Sequence, residues 1–223
     1  ATMPKEIIQL ANRFLHDPLS IAMEAKQDVH QNIEHYVYKL NQQDKETALL
    51  HLLGKETVES AILFVRTQER VENIYQVLKA HHIRVTKLHG GLLQEERLAN
   101  LKAFRSGEKR ILVASDVAAR GIDIEGISHV ISLGFPKELD YYIHRSGRTG
   151  RAGNDGICYA LYKKQDDAMI RSLEIKGIGF QHRSFKNGKW IELDALHKKK
   201  VKRDDPLEKE IAKIVSKKKK QVK

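Results

Sequence analysis

The chain has 223 residues, enough for one domain or one domain with an extension, and its 41% hydrophobic content can build a core. No run of about 18 apolar residues occurs, so no membrane span is expected. The net charge of +11 is uneven: residues 181–223 hold 15 Lys and Arg against 6 Asp and Glu, so this tail carries +9 and the rest of the chain only +2, an asymmetry that points to a polyanion-binding tail.

Pro4 can open a helix, because its missing amide is not needed there, and Ile7, Ile8, Leu10, Ala11, Phe14 and Leu15 follow at helical spacing. Asp17-Pro18 stops it, and residues 19–32 look like a connector. Ile33–Leu40 alternates as a strand, and Lys45–Leu53 reads as a helix ended by Gly54. Ala61–Val65 is a continuous apolar run, as in a strand buried on both faces. Thr67 can cap a helix through about Ala80. Then come a strand at Ile83–Leu88, a Gly90-Gly91 turn, a helix from Gln94 to Arg105, strands at Ile111–Ala114 and Val130–Leu133, a helix around Tyr141–Arg145 and a strand at Ile157–Leu161. This alternation predicts an α/β fold with a parallel sheet sandwiched by helices, whose ligands sit at the carboxyl ends of the strands. Beyond Gly177, Phe180–Leu193 reads as a β-hairpin around Asn187-Gly188, and from His197 the chain is Lys-rich, expected to be disordered or marginally helical.

Cys158 is the one cysteine, so an internal disulfide is excluded and a reducing, cytoplasmic setting fits. It lies within an apolar strand and reads as an inert core residue. With no CxxC pair and scattered histidines, no metal site is expected.

Four segments at strand ends carry chemistry. Ser115–Asp123 offers a hydroxyl for a phosphate oxygen, a glycine for close backbone approach at Gly121, and a ribose acceptor at Asp123; a plain turn with Asp116 as a cap is the alternative. His144–Gly153 places Arg145, Arg148 and Arg151 three apart among Gly147, Gly150 and Gly153. Guanidinium forks suit phosphate, and the glycines would break the helix and clear space around them. His89-Gly90-Gly91 leads into a helix whose Gln94 and Arg97 share a face, either an anion site or a simple helix start. Arg66 and Thr67 end the fourth segment, where Thr67 can touch phosphate or serve as an N-cap.

Together these segments resemble the C-terminal RecA-like domain of DEAD-box ATP-dependent RNA helicases, of helicase superfamily 2, over Ala1 to about Leu173. Motif IV resembles Phe64–Thr67, the intermediate motif His89-Gly90 with Gln94 and Arg97, motif V Ser115–Asp123 and motif VI His144–Arg151. The DEAH branch typically opens motif VI with Gln where this chain has His144. Two departures are mild: Ser115 stands where the family usually has Thr, and Ser146 where it usually has Ile, which removes a packing side chain. The opening Ala1-Thr2-Met3-Pro4-Lys5 looks like a chain cut inside motif III, with the Walker A loop and the Asp-Glu-Ala-Asp box upstream; no G-x-x-x-x-G-K-[ST] occurs here.

The resemblance implies an inter-domain segment at 1–32 and the RecA-like domain at 33–177, and the residues themselves add a hairpin extension at 178–196 and a basic tail at 197–223. It implies ATP with Mg2+, the metal held by the N-terminal half. Arg148 and Arg151 would be catalytic arginine fingers on the γ-phosphate side, with Gly121 and Asp123 at the ribose. His144, also counted as catalytic, and Arg145 would organise the interface with the N-terminal RecA-like domain. Arg66, Thr67, Gly90, Gln94, Arg97 and Ser115 would bind the RNA backbone, single-stranded or in short duplexes, during local unwinding. The fragment alone would be inactive. The tail would tether structured RNA or simply solubilise the chain. A non-catalytic RNA-binding module and half of a DNA helicase are the rival readings; the pairing of Ser115–Asp123 with His144–Arg151 argues for the RNA branch.

Overall fold

The structure, a computed structural model, describes residues 5–15, 32–40, 45–56, 58–119, 122, 124, 127–150, 154–186 and 189–192. The expected disorder of the Lys-rich tail, the Asn187-Gly188 turn and the motif III segment lie outside these residues.

Helix α1 is Lys5–Phe14, followed by β1 at Ile33–Lys39, α2 at Lys45–Lys55, β2 at Ala61–Val65 and α3 at Gln68–Ala80. Then come β3 at Val85–Leu88, α4 at Gln94–Arg105, β4 at Ile111–Ser115, β5 at His129–Ser132, α5 at Leu139–Ser146 and β6 at Gly156–Tyr162. A 3-10 turn at Lys164–Asp166 leads into α6 at Asp167–Ile175, and β7 at Phe180–Lys186 and β8 at Lys189–Glu192 close the described chain. The sheet runs β3-β4-β2-β5-β6-β1-β7-β8. Every neighbouring pair is parallel except β7 and β8, which are antiparallel.

Successive residues of a strand face opposite sides, so one strand feeds two cores. Ala61, Leu63 and Val65 of β2 pack with Leu49 and Leu52 of α2 and Val71, Ile74 and Leu78 of α3. Ile62 and Phe64 face the other way, with Leu112 and Ala114 of β4 and Phe104 of α4. Farther along that second side, Tyr142 of α5 and Ile170 and Leu173 of α6 cover Val37, Ala160 and Tyr162. All of β2 and β4 is buried, which is why both read as unbroken apolar runs.

Helix α6 has no counterpart among the expected elements. Its signals are Asp166 and Asp167 at the start, buried Ile170 and Leu173 three apart, and Gly177 at φ 95° after the last turn. Cys158 is buried, and burial pushes its thiol pKa up, so the thiolate is disfavoured.

A second buried titratable group carries a testable consequence. His35 lies under α5, its Nδ1 3.0 Å from the Tyr142 hydroxyl, and burial pushes its pKa down to about 4. In the unfolded chain the ring keeps a pKa near 6.5, so below that pH the unfolded state binds the extra proton and the folded state does not. Stability is therefore present above about pH 6.5 and is lost as pH falls toward 4. Burial lowers the pKa of His129 too, which acts in the same direction. Urea melts should show about 2 kcal/mol less stability at pH 5 than at pH 7 from His35, a slope that His35→Phe removes. An unchanged slope in that variant would contradict the assignment.

Candidate functional site

Because β4, β2, β5 and β6 are adjacent and parallel, their carboxyl ends share one edge of the sheet. Three of the sequence motifs reach that edge, and a fourth is tied to it from α5.

At the β4 tip, Ser115 is 7% exposed, and its carbonyl accepts from the Ala119 amide, which turns the chain back at once. Asp116 beside it is no helix cap. Its two carboxylate oxygens accept from Nε and Nη2 of Arg145 at 2.6 and 2.7 Å. Arg145 is 2% exposed, and its Nη1 donates to Ser132 Oγ at 3.2 Å and to the Gly134 carbonyl at 3.1 Å. The guanidinium also lies 5.2 Å from the Phe64 ring centre. A bidentate fork with two further hydrogen bonds makes this buried charge tolerable. Arg145 thus ties motif VI to motif V inside the domain, while His144 on the same helix is exposed.

Ser146 is buried, and its hydroxyl donates to the Ile143 carbonyl at 3.0 Å, so a local bond satisfies its polar atom. Arg148 is half-buried, and its Nη1 donates to the Ile122 carbonyl at 2.8 Å, which joins the two motifs a second time. Thr149 Oγ1 lies 2.6 Å from the Ile127 carbonyl. Gly150 has φ +66°, and a Cβ there would lie 2.6 Å from Ile33 Cγ1. That glycine makes room for a strand residue, not for a guanidinium group as its spacing had suggested. Gly121, Asp123 and Arg151 lie outside the described residues.

At the β3 tip, His89 Nδ1 lies 3.2 Å from the Gly91 amide, so it accepts there and the ring proton belongs to Nε2, which donates to Glu72 Oε1 at 2.8 Å. Lys87 Nζ donates to the same oxygen at 2.6 Å. Lys87 above all, and His89, hold the Glu72 carboxyl below its ordinary pKa. Gln68, the first residue of α3, lies against the loop: a Cβ on Gly91 would sit 2.9 Å from its Oε1. Gly90 is exposed, as is Gln94, while Arg97 Nη2 donates to the Ala118 carbonyl at 2.9 Å and so reaches from α4 to the motif V turn.

At the β2 tip, Thr67 Oγ1 accepts from the Arg70 amide at 3.1 Å as the N-cap of α3, and Arg66 Nε donates to the Phe135 carbonyl at 3.2 Å. Glu72 and Gln68 were missed by sequence reasoning, and Asp116 was read only as a possible cap. Glu72 and Gln68 sit four apart on α3, a spacing that could have flagged one helix face. Among the described residues no group of three His, Cys, Asp or Glu is placed to hold a metal ion.

A parallel α/β sheet covered by helices, with the candidate groups gathered along its strand tips, fits a RecA-like domain. Residues 44–153 match the family model described as the helicase conserved C-terminal domain. The DEAD-box ATP-dependent RNA helicase CshB of Bacillus subtilis is 34% identical over the whole of this chain, which spans 51% of that protein. Among solved structures, the Escherichia coli DEAD-box protein SrmB, bound to the regulator of ribonuclease activity A, superposes with a TM-score of 0.62 at 34% identity. The alignment covers 69% of this chain and 91% of that one. The C-terminal domain of the DEAD-box protein Dbp5 gives 0.64 at 31% identity, with the same coverage of 69% and 91%. The chain belongs to the DEAD-box helicase family and is its C-terminal RecA-like domain. It spans about half the length, or less, of the curated relatives it matches.

Proposed function

We propose that this chain is the C-terminal half of an ATP-dependent RNA helicase, which binds RNA backbone along its strand tips and supplies arginine fingers to a nucleotide held with an N-terminal RecA-like half. The observation that carries the reading is the double tie between motifs V and VI: Arg145 clamps Asp116, and Arg148 holds the Ile122 carbonyl. RNA contacts at Ser115 are thereby linked mechanically to the finger at Arg148.

On the RNA side, Gly90, Gln94 and Thr67 are exposed, and Arg97, Arg66 and Ser115 are seated beside them by bonds to backbone carbonyls or by the strand end. Backbone groups and guanidinium forks contact phosphate and sugar, so binding is sequence-tolerant. On the nucleotide side, the arginines suit a triphosphate, because a guanidinium presents its N–H donors in a planar fork that matches phosphate oxygens. ATP supplies the phosphoryl group given up to water, and Mg2+ would be held by the N-terminal half. Arg148 and Arg151 would place positive charge where negative charge grows, with Asp123 and Gly121 at the ribose. His144, exposed at the end of α5, would face the N-terminal half. Arg145 serves from inside the domain, as the residue that positions motif V.

The test is ATP hydrolysis by this chain, by a separately expressed N-terminal half, and by the two joined in one polypeptide, each with and without RNA. Activity in the joined protein alone, raised by RNA, is expected. A silent joined protein would make a non-catalytic RNA-binding module the better reading.

A further inference from the structure

The exit loop of β5 is an unusual meeting point. Three successive carbonyls each accept from a cation on a different element: Leu133 from Lys45 Nζ at 3.2 Å, Gly134 from Arg145 at 3.1 Å, and Phe135 from Arg66 at 3.2 Å. Gly134 makes this possible. Its φ is +108°, and a Cβ there would lie 2.7 Å from Lys45 Nζ. The ammonium therefore rests directly on the backbone of the loop.

A carbonyl accepts a hydrogen bond but neutralises no charge. Arg145 has its carboxylate in Asp116. Lys45 and Arg66 have carbonyl partners instead, and the cationic neighbourhood is larger than these two. Lys163 follows the last residue of β6, the next strand along the edge, and is exposed. Arg70 is half-buried one turn into α3, paired with Glu46 at 2.7 Å. The buried Asp166 is engaged by its own turn, accepting from the Lys163 amide at 3.1 Å. Burial above all lowers the pKa of Lys45; Lys163, Arg66 and Arg70 lower it further, against the opposing pull of Asp166. Among the described residues, the charges that act on Lys45 are thus one carboxylate, Asp166, and three cations, Lys163, Arg66 and Arg70. Like charges held together in this way leave a positive site that an anion relieves.

We infer that Lys45 and Lys163, together with Arg66, form a further phosphate subsite at the tips of β5 and β6 that continues the RNA backbone track beyond Gly90, Ser115 and Thr67. The inference rests on the RNA-binding reading above and adds two residues from outside the family motifs. The sheet order β4-β2-β5-β6 gives the direction of the track. From Ser115 at the β4 tip to β6 its length is three inter-strand steps of about 4.8 Å, or roughly 14 Å. The contacts are to phosphate oxygens only, so the subsite discriminates no base.

The experiment measures binding of a mixed-sequence single-stranded oligoribonucleotide by the full 223-residue chain across a salt series. Lys163→Ala is the main variant because its side chain is exposed and its loss leaves the fold alone. Lys45→Gln is the second, checked by thermal melting, and Arg97→Ala reports on the track already proposed. Each lysine variant should bind RNA roughly 3- to 10-fold more weakly, with the log–log salt slope shallower by about 0.7 per lost contact. Unchanged affinity and slope in both lysine variants, with Arg97→Ala weakened, would overturn the subsite and leave the RNA reading intact. No RNA binding by the parent chain would overturn both. A tripolyphosphate arm separates the sources of phosphate: lysine variants that lose tripolyphosphate but keep RNA would also overturn the inference.

Discussion

Replacing Arg148 by alanine in the two-domain enzyme is expected to lower ATP turnover about 10³- to 10⁵-fold, the range for loss of an arginine finger. The fold should hardly register the change. Arg148 is half-buried, and its bond to the Ile122 carbonyl is worth about 1 kcal/mol, so the melting temperature should stay within a few degrees of the parent. RNA affinity measured without nucleotide should also survive. Arg151→Ala should give the same loss of turnover. Near-normal turnover in both variants would remove the finger assignment. Lost turnover with lost RNA binding would instead mean that the variant had damaged the motif V turn.

Arg145 predicts the opposite balance, although it lies three residues away in the same motif. Arg145→Ala removes one partner of a buried ion pair and leaves Asp116, Ser132 Oγ and the Gly134 carbonyl without their donor. Breaking a buried pair from one side costs about 3–5 kcal/mol, and the partial exposure of Asp116 puts this pair toward the lower end. In a domain of this size that should lower the melting temperature on the order of 10 °C. Activity would fall as well, but as a consequence of motif V coming loose. Replacing both partners, as Arg145→Met with Asp116→Leu, should recover much of the stability, because no uncompensated charge stays behind. It should not recover RNA binding. Calorimetry on the chain alone separates the cases: a shift of a degree or two in Arg145→Ala would mean the clamp contributes little.

The sheet was legible because burial writes directly into composition. The all-apolar stretch Ala61–Val65 became β2 with those same ends, and the helix expected from about Gln94 to Arg105 became α4. Ends that depend on a neighbour were less so. Ile83 and Arg84 look like strand residues, but β3 begins at Val85, because the Arg84 carbonyl is taken by Arg110 and Ile111 as the chain enters β4. Helix α6 was overlooked because its signals, Asp166-Asp167, Ile170, Leu173 and Gly177, are weaker than those around it. At the site, the residue types were readable and their partners were not. Motif VI has three arginines at equal spacing, and nothing local distinguishes the one that meets Asp116, 29 positions earlier, from the one that meets Ile122. The alternating glycines likewise seemed to serve the arginines, whereas Gly150 serves Ile33.

The position of β1 sets a timetable for synthesis. It is the first strand described along the chain, yet its neighbours are β6 and β7, with Lys39 opposite Tyr162 on one side and Ser184 on the other. At about 5–20 residues per second, a ribosome needs roughly 6–25 s to travel from the end of β1 to the end of β6. During that interval the apolar residues of β1 have no sheet to join, and both of its hydrogen-bonding edges are open to other chains. Residues 45–132 can meanwhile assemble β2, β3, β4 and β5 among themselves, since every pairing within that block lies inside it. The nascent chain should therefore fold from its middle outward, with β1 the segment most in need of a chaperone.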